Sequence, residues 1–353
     1  MEIFTQIENN ELEEMIFFHE KSVGLKGVIA IHNTILGPAL SGVRMLPYKD
    51  SESMIKEAIQ LASEMTWRST LSGCDLGGAS AILWGEPEKD KFEAYFRAFG
   101  RFLNRLGGRV YGVMDLGINQ DDFHDIYRET GYVLALPESY GGIADAIKIT
   151  TEGFMHGIRA ATKFTFGTNE IGNITFLVQG VGRLGSTIVA ALLKAGGRVI
   201  VTDTNYDKIK NIQDNHPDVT MIRPEDWHTR KCDIFVPCAQ GNLMRPQIVD
   251  ELKFKVIAGI AGNLIPNLKT IEHLHNKGIH YIPNFVIDAG ELIQADHELN
   301  KRSVTLLPQA LEKIYFRALN LLERAKESNA PPTHTALGIA KKRLQSIKKI
   351  RPN

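Results

Sequence analysis

Two α/β domains are the fold that the sequence predicts: an N-terminal mixed α/β domain and, behind it, a doubly wound parallel sheet. Three observations carry this expectation. The chain has 353 residues, more than one hydrophobic core usually serves. Strand-like segments alternate with helical periodicity along it, as layered α/β folds require. From Asn173 the alternation settles into strand, glycine turn, helix and strand, in units of about thirty residues. The expected boundaries are 1–140 and 141–330, with a C-terminal helix over 331–353.

In chain order, "GVIAIHNT" reads as a strand and "SESMIKEAIQLASEMTW" as a helix whose apolar face is Met54, Ile55, Ala58, Leu61, Ala62 and Met65. "DLGGASAILWGEP" (75–87) reads as a turn, a buried strand and a second turn, and Gly77 and Gly78 let the backbone approach a ligand closely. "KFEAYFRAFGRFLNRL" is a second amphipathic helix and "RVYGVMDLG" another strand. "TTEGFMHGIRAATKF" follows as a connecting helix with a threonine cap. "CDIFVPCA", "KVIAGIAGN" and "HYIPNFV" supply three further strands to the second sheet, which ends near residue 286. Two helices close the chain, one broken or started by Pro308 and one after the Pro331-Pro332 pair.

Lys+Arg and Asp+Glu both number 41, so no global field favours nucleic acid or an anionic membrane. A small-molecule partner is expected. Cys74, Cys232 and Cys238 lack C-x-x-C spacing and are odd in number, which fits a reducing, cytoplasmic setting. No metal site is expected. The N-terminus "MEIFTQIENNELEEM" is acidic where a signal peptide is basic, and no apolar run is long enough to span a bilayer.

The strongest local signal is "FLVQGVGRLGSTIVAALLKAGGRVIVTD". Gly180, Gly182 and Gly185, with Val181, Arg183 and Leu184 between them, form G-x-G-x-x-G directly after a strand and at the start of a helix. The first glycine allows the tight turn, the second admits a pyrophosphate to the backbone, and the third lets helix and strand pack closely. Asp203 closes the next strand, where a carboxylate accepts hydrogen bonds from the adenosine ribose and repels a 2′-phosphate. NAD is therefore expected over NADP, although Asn205 and Lys208 soften the preference. FAD uses the same motif but is usually bound near a chain's N-terminus, and this motif lies in mid-sequence.

"GLKGVIAIHNTILGPALSGVRM", "MDLG", "FGT", "VQGVG", "VTDTN", "CDIFVPCAQG", "KVIAGIAGN" and "IPNFVIDAGE", in this order, resemble the Glu/Leu/Phe/Val dehydrogenase family, most of all its leucine dehydrogenase branch. The resemblance runs from Met1 to about residue 330. It implies an N-terminal substrate domain, a Rossmann-type NAD-binding domain and an active-site cleft between them. It also implies a homo-oligomer assembled through the substrate domain. The family oxidatively deaminates amino acids: hydride passes from Cα to the nicotinamide, and water hydrolyses the imine. One lysine binds the substrate carboxylate, and a second, after a run of glycines, is the general base with an aspartate beside it.

Carried over by position, the aspartate is Asp115 and the carboxylate-binding position holds Arg68, whose planar fork suits a carboxylate. The base position falls on Ser80, in "GGAS". Leu40, Val113 and Leu292 match positions that shape the side-chain pocket. The final substrate loop, usually Asn-Ala-Gly-Gly, is "DAGE", with Asp288 and Glu291. "IADAIKITT" replaces a loop rich in Gly, Asn, Ser and Pro and keeps Thr150 of its polar contacts, and Leu134 stands where a threonine commonly faces the nicotinamide. Thr150, Gly180, Gly182, Gly185, Asp203, Cys238, Ala239 and Asn263 make up the cofactor end.

Bland readings stand beside these. Arg68 could be a surface cation, Asp115 a turn cap, and Asp288 and Glu291 solvated loop acids. Cys238 reads as a small buried residue near the adenine side, His32 as a satisfied strand-end histidine, and "AKKRLQSIKKIRP" as a solvated helix face. Three activities remain open: hydride transfer to or from an imine without water activation, NAD(H) binding without turnover in a partner subunit or sensor, and ordinary deamination with Glu291 as replacement base.

Overall fold

The structure is a computed structural model that describes residues 2–350 apart from 240, 242, 263 and 266. The chain forms two units, Met1–Ala146 with Leu292–Val304 and Ala340–Asn353, and Ile147–Glu291 with Thr305–Ile339. Both later additions to the first unit come from beyond residue 290, so this partition is discontinuous in sequence.

The first unit opens with α1 (Ile3–Asn9), β1 (Glu14–Glu20), β2 (Leu25–Asn33) and β3 (Ala39–Leu46). It continues with α2 (Ser51–Ser72), β4 (Gly77–Trp84), α3 (Glu93–Asn104), β5 (Val110–Met114) and α4 (Gln120–Tyr127). The strands form one sheet in the order β1-β2-β4-β3-β5. β2 runs antiparallel to β1 and β4, and β3 runs parallel to β4 and β5. Strand alternation divides the apolar residues between two faces. Val28, Ala30 and Ile82 pack with Met54, Ile55, Ala58, Ile59 and Ala62 of α2. Ile29, Ile31, Ala79, Ala81 and Leu83 pack on the other side with Phe96 and Phe99 of α3. Asp50 starts α2 by accepting a 2.8 Å hydrogen bond from the Ser53 N–H, and Gly73, at φ 75°, ends it. A Cβ at Gly78 would lie 2.2 Å from the Thr66 nitrogen, so this glycine is what lets α2 lie so close to β4.

The second unit begins within α5 (Ala146–Phe166) and contains β6 (Thr175–Gln179), α6 (Arg183–Lys194), β7 (Arg198–Thr202), α7 (Tyr206–Asn215) and β8 (Thr220–Met221). After these come β9 (Ile234–Pro237), β10 (Val256–Ala258), α8 (Leu268–Asn276), β11 (His280–Ile282) and α9 (Asn284–Ile287). The strands make a parallel sheet in the order β11-β10-β9-β6-β7-β8. This is the doubly wound order, with its reversal between β6 and β9. Leu177, Phe235 and Ile257 from neighbouring strands pack with Trp227, Phe254 and Leu274 over one face. The chain then runs through α10 (Gly290–Leu299), α11 (Leu307–Glu327) and α12 (Pro332–Lys348). Among the described residues no helix is long and apolar enough to cross a membrane.

Two local expectations are corrected, and one left between two alternatives is decided. The connecting helix begins at Ala146, so Thr151 lies in its interior and its hydroxyl donates back to the Ile147 carbonyl at 2.8 Å instead of capping. The last strand stops at Ile282, because Pro283 lies at the start of α9. Pro308 falls in the first turn of α11 and starts that helix without breaking it, where its missing N–H costs nothing.

Candidate active site

Strand register decides which residues of the first sheet share a face, since directly paired residues point the same way. Ser80 on β4 pairs with Ala30 and Gly42, Gly42 pairs with Val113, and Leu40 pairs with Gly78. Ala30 belongs to the cluster under α2. Leu40, Val113 and Ser80 therefore share the α2 face. Asp115, just past β5, reaches over Gly42: a Cβ there would stand 2.8 Å from its Oδ2. The fold thus brings Leu40, Ser80, Val113 and Asp115 together. Ser80 is 2% exposed, and its hydroxyl has no hydrogen-bond partner among the described residues. Arg68 is half-buried near the end of α2, eleven residues after Glu57 and so about three turns along the same stripe. Leu292 is buried in this unit, with its carbonyl 3.9 Å from the Cys74 sulfur.

Asp115 is already held. The Arg44 guanidinium donates from Nε to Oδ2 at 3.0 Å and from Nη2 to Oδ1 at 3.1 Å, and the Leu116 N–H donates to Oδ1 at 2.7 Å. The remaining Arg44 arm, Nη1, reaches Glu57 Oε1 on α2 at 2.6 Å. Burial opposes charge on this arginine, but Asp115 and Glu57 outweigh it and hold its pKa above the ordinary range. Sequence reasoning missed Arg44 and Glu57. A signal was present, a lone cation inside the otherwise apolar or small strand "ALSGVRML", yet its partners are 71 and 13 residues away. His32 is buried, with Nδ1 2.8 Å from the Thr66 hydroxyl and its ring edge-on to Trp67. Burial lowers its pKa, so it is a neutral, satisfied residue.

In the second unit the glycine motif links β6 to α6. Gly180 takes φ 91°, and a Cβ on it would meet Ala239 at 2.5 Å. A Cβ on Gly185 would stand 2.0 Å from the Gly180 carbonyl oxygen, so turn and helix touch through their glycines. Gly182 differs. It takes an ordinary φ of −69°, a Cβ on it would meet nothing within 4 Å, and as N-cap of α6 it offers no side-chain acceptor. The first N–H groups and the positive dipole end of α6 thus await an acceptor other than a capping side chain. Val181 is buried, Leu184 half-buried and Arg183 exposed. Asp203, just past β7, accepts from the Val181 N–H through Oδ2 at 2.8 Å and from the Asn205 N–H through Oδ1 at 2.8 Å.

Cys238 and Ala239 follow β9, across the reversal point from Gly180. Burial, helped by Asp288, pushes the Cys238 thiol well above its usual range, and burial likewise pushes Cys232 up to about 12. Neither is a nucleophile at neutral pH. Thr150 is buried on α5 beside the "DAGE" turn, since a Cβ at Gly290 would lie 2.6 Å from its Cα. Asp288 and Glu291 are half-buried in that same segment. Asn263 lies outside the described residues. These groups fit a dinucleotide: an open glycine at an uncapped helix N-terminus for the pyrophosphate, and a carboxylate at the neighbouring strand end for the ribose.

Comparison with known proteins bears on both units. Residues 13–132 match the Glu/Leu/Phe/Val dehydrogenase dimerisation domain, and residues 201–344 match the Glutamate/Leucine/Phenylalanine/Valine dehydrogenase domain. The chain belongs to this family. A phenylalanine dehydrogenase of Lysinibacillus sphaericus is 36% identical over 331 residues, covering 92% of this chain and 86% of the relative. A leucine dehydrogenase of Geobacillus stearothermophilus is 36% identical over 351 residues, covering 99% and 95%. The crystal structure of L-tryptophan dehydrogenase from Nostoc punctiforme superposes with a TM-score of 0.81 at 30% identity, covering 98% of this chain and all of that one. As a member of this dehydrogenase family the chain is an oxidoreductase of the amino-acid dehydrogenase type, and the relatives above are named for phenylalanine, leucine and tryptophan.

Proposed function

We propose that this chain is an NAD-dependent oxidoreductase acting at the C–N bond of a small apolar amino acid or a derivative of one. The first unit takes the substrate and the second the cofactor, in a homo-oligomer. The observation that carries the reading is the start of α6, uncapped and opened by Gly182, with Asp203 beside it. A 2′-phosphate there would meet the Asp203 charge, which supports NAD over NADP. When bound, NAD supplies a hydride acceptor, and NADH a donor. Arg68 binds the substrate carboxylate through its planar fork. Leu40, Val113 and Leu292 shape an apolar pocket for the side chain, and Asp115 sets a negative charge beside the reacting nitrogen.

Ser80 determines which part of the chemistry is fast. Moving hydride from the Cα of a neutral amine to the cofactor leaves an iminium, C=NH⁺, and the reverse adds hydride to a protonated imine; the proton on nitrogen exchanges with solvent, and no water has to be activated. Releasing the nitrogen as ammonia requires water to add to that carbon and to lose a proton. The Ser80 hydroxyl, with no partner among the described residues, cannot take that proton, and a positioned base is worth about 10²–10⁴-fold in rate. The favoured reaction is therefore reduction of a preformed imine, or oxidation to one. The same unpartnered serine supports a second reading, an NAD(H)-binding subunit without turnover.

NADH formation with branched, aromatic and basic amino acids, together with NADH consumption by the corresponding imines and 2-oxo acids plus ammonia, separates the two readings. Turnover with an apolar member of the imine set is expected. Tight NADH binding with no turnover across the set favours the second reading, and no NADH binding contradicts both.

A further inference from the structure

Arg44 is 8% exposed, and a guanidinium so far from water is tolerated only where carboxylates meet it with good geometry. Here the two carboxylates come from different elements. Asp115 follows β5 and takes the Nε–Nη2 fork, while Glu57 on α2 takes Nη1. With the Leu116 N–H added, both Asp115 oxygens are occupied by donors, two on Oδ1 and one on Oδ2. The carboxylate plane cannot rotate without breaking a bidentate pair. Gly42 makes the approach possible, because any Cβ there would collide with Asp115. Tyr48 is the further titratable group at this cluster, and burial together with Glu57 raises its pKa.

We propose that Arg44, anchored by Glu57, is a positioning residue for the reaction: it fixes the plane of Asp115, so that Asp115 serves as an oriented anion toward the substrate nitrogen. The inference rests on the function proposed above. It assigns Asp115 an electrostatic part, which is worth most when the charge is preorganised. It also makes Arg44 and Glu57 matter to rate although neither need touch substrate.

The test is a double-mutant cycle on the intact protein, with kcat and KM measured on the best substrate of the panel. Arg44→Lys keeps the charge but loses the fork. It is expected to lower kcat by about 10²-fold, while KM for the substrate changes by less than about threefold. In Arg44→Lys/Asp115→Asn the two losses should not multiply, because one residue acts through the other. Glu57→Gln, which keeps an acceptor for Nη1, should show a smaller kcat loss with the same non-additivity. If Arg44→Lys does not fold, as judged by thermal melting, Glu57→Gln carries the same cycle with Asp115→Asn. Losses that multiply, or a lowered melting temperature with kcat unchanged, overturn the proposal. A native protein without turnover on any substrate fails the functional reading itself and takes this proposal with it, an outcome distinct from active protein with additive variants.

Discussion

Around Gly182 the first N–H groups of α6 meet no capping side chain, whereas across Gly42 the Asp115 carboxylate is already held by Arg44 and the Leu116 N–H. The second unit leaves polar groups for a ligand to satisfy. The first unit satisfies Asp115 from within and, among the described residues, leaves the buried hydroxyls of Tyr48, Ser80 and Tyr95 without a partner, Ser80 being the one on the sheet face beside Asp115. An unmet buried or oriented polar group is costly unless a ligand completes it. The contrast is what supports the proposed cofactor end at α6, while the proposed substrate end rests on orientation and fixed charge.

The largest expected effect comes from comparing two glycines of one loop. Gly182→Ala places its methyl in open space, so the melting temperature should hold while NADH affinity falls by about 10²-fold, because the methyl blocks the approach of the pyrophosphate. Gly185→Ala drives its methyl into the Gly180 carbonyl and should lower stability by about 1–3 kcal/mol as well as affinity. Calorimetric titration and melting curves distinguish them, and equal melting losses in both would break the comparison.

A smaller effect is expected at Asp203. Asp203→Asn retains an acceptor for the Val181 or Asn205 N–H but removes the charge, so the NADH-over-NADPH preference should narrow by about tenfold. An unchanged ratio in paired titrations would place the discrimination elsewhere in the loop.

The smallest concerns acid stability. His32, under α2, has its pKa lowered by burial from the ordinary 6.5. The unfolded chain then binds the proton more readily than the folded one, so the His32 contribution is complete above about pH 6.5 and is lost as pH falls below it. His156 and His280 in the second unit carry the same sign. Replacing His32 with Gln should thus reduce the fall in melting temperature between neutral and acidic buffer without abolishing it. A fall identical to that of the native protein would show that His32 does not contribute.

The second unit was the more legible in sequence. Its G-x-G-x-x-G motif and Asp203 are local, and their physical jobs follow from spacing, so the parallel sheet and its glycine turn could be anticipated without contacts. The first unit hides its chemistry in register. That Ser80, Val113 and Leu40 share a face depends on β3 pairing in parallel between β4 and β5, which no local pattern announces. Arg44 was missed because both its carboxylates lie on other elements. The early start of α5 was missed for a related reason: Thr151 can bond back within a helix as readily as it can cap one.

The most direct test of the central claim compares native protein with Ser80→Lys for NADH consumption by a stable cyclic imine and by a 2-oxo acid with ammonia. The account predicts that the native protein reduces the imine and is slow with the 2-oxo acid, and that Ser80→Lys gains the second activity by about 10²-fold or more. Native turnover of the 2-oxo acid at or above the rate of Ser80→Lys would contradict it and require another base.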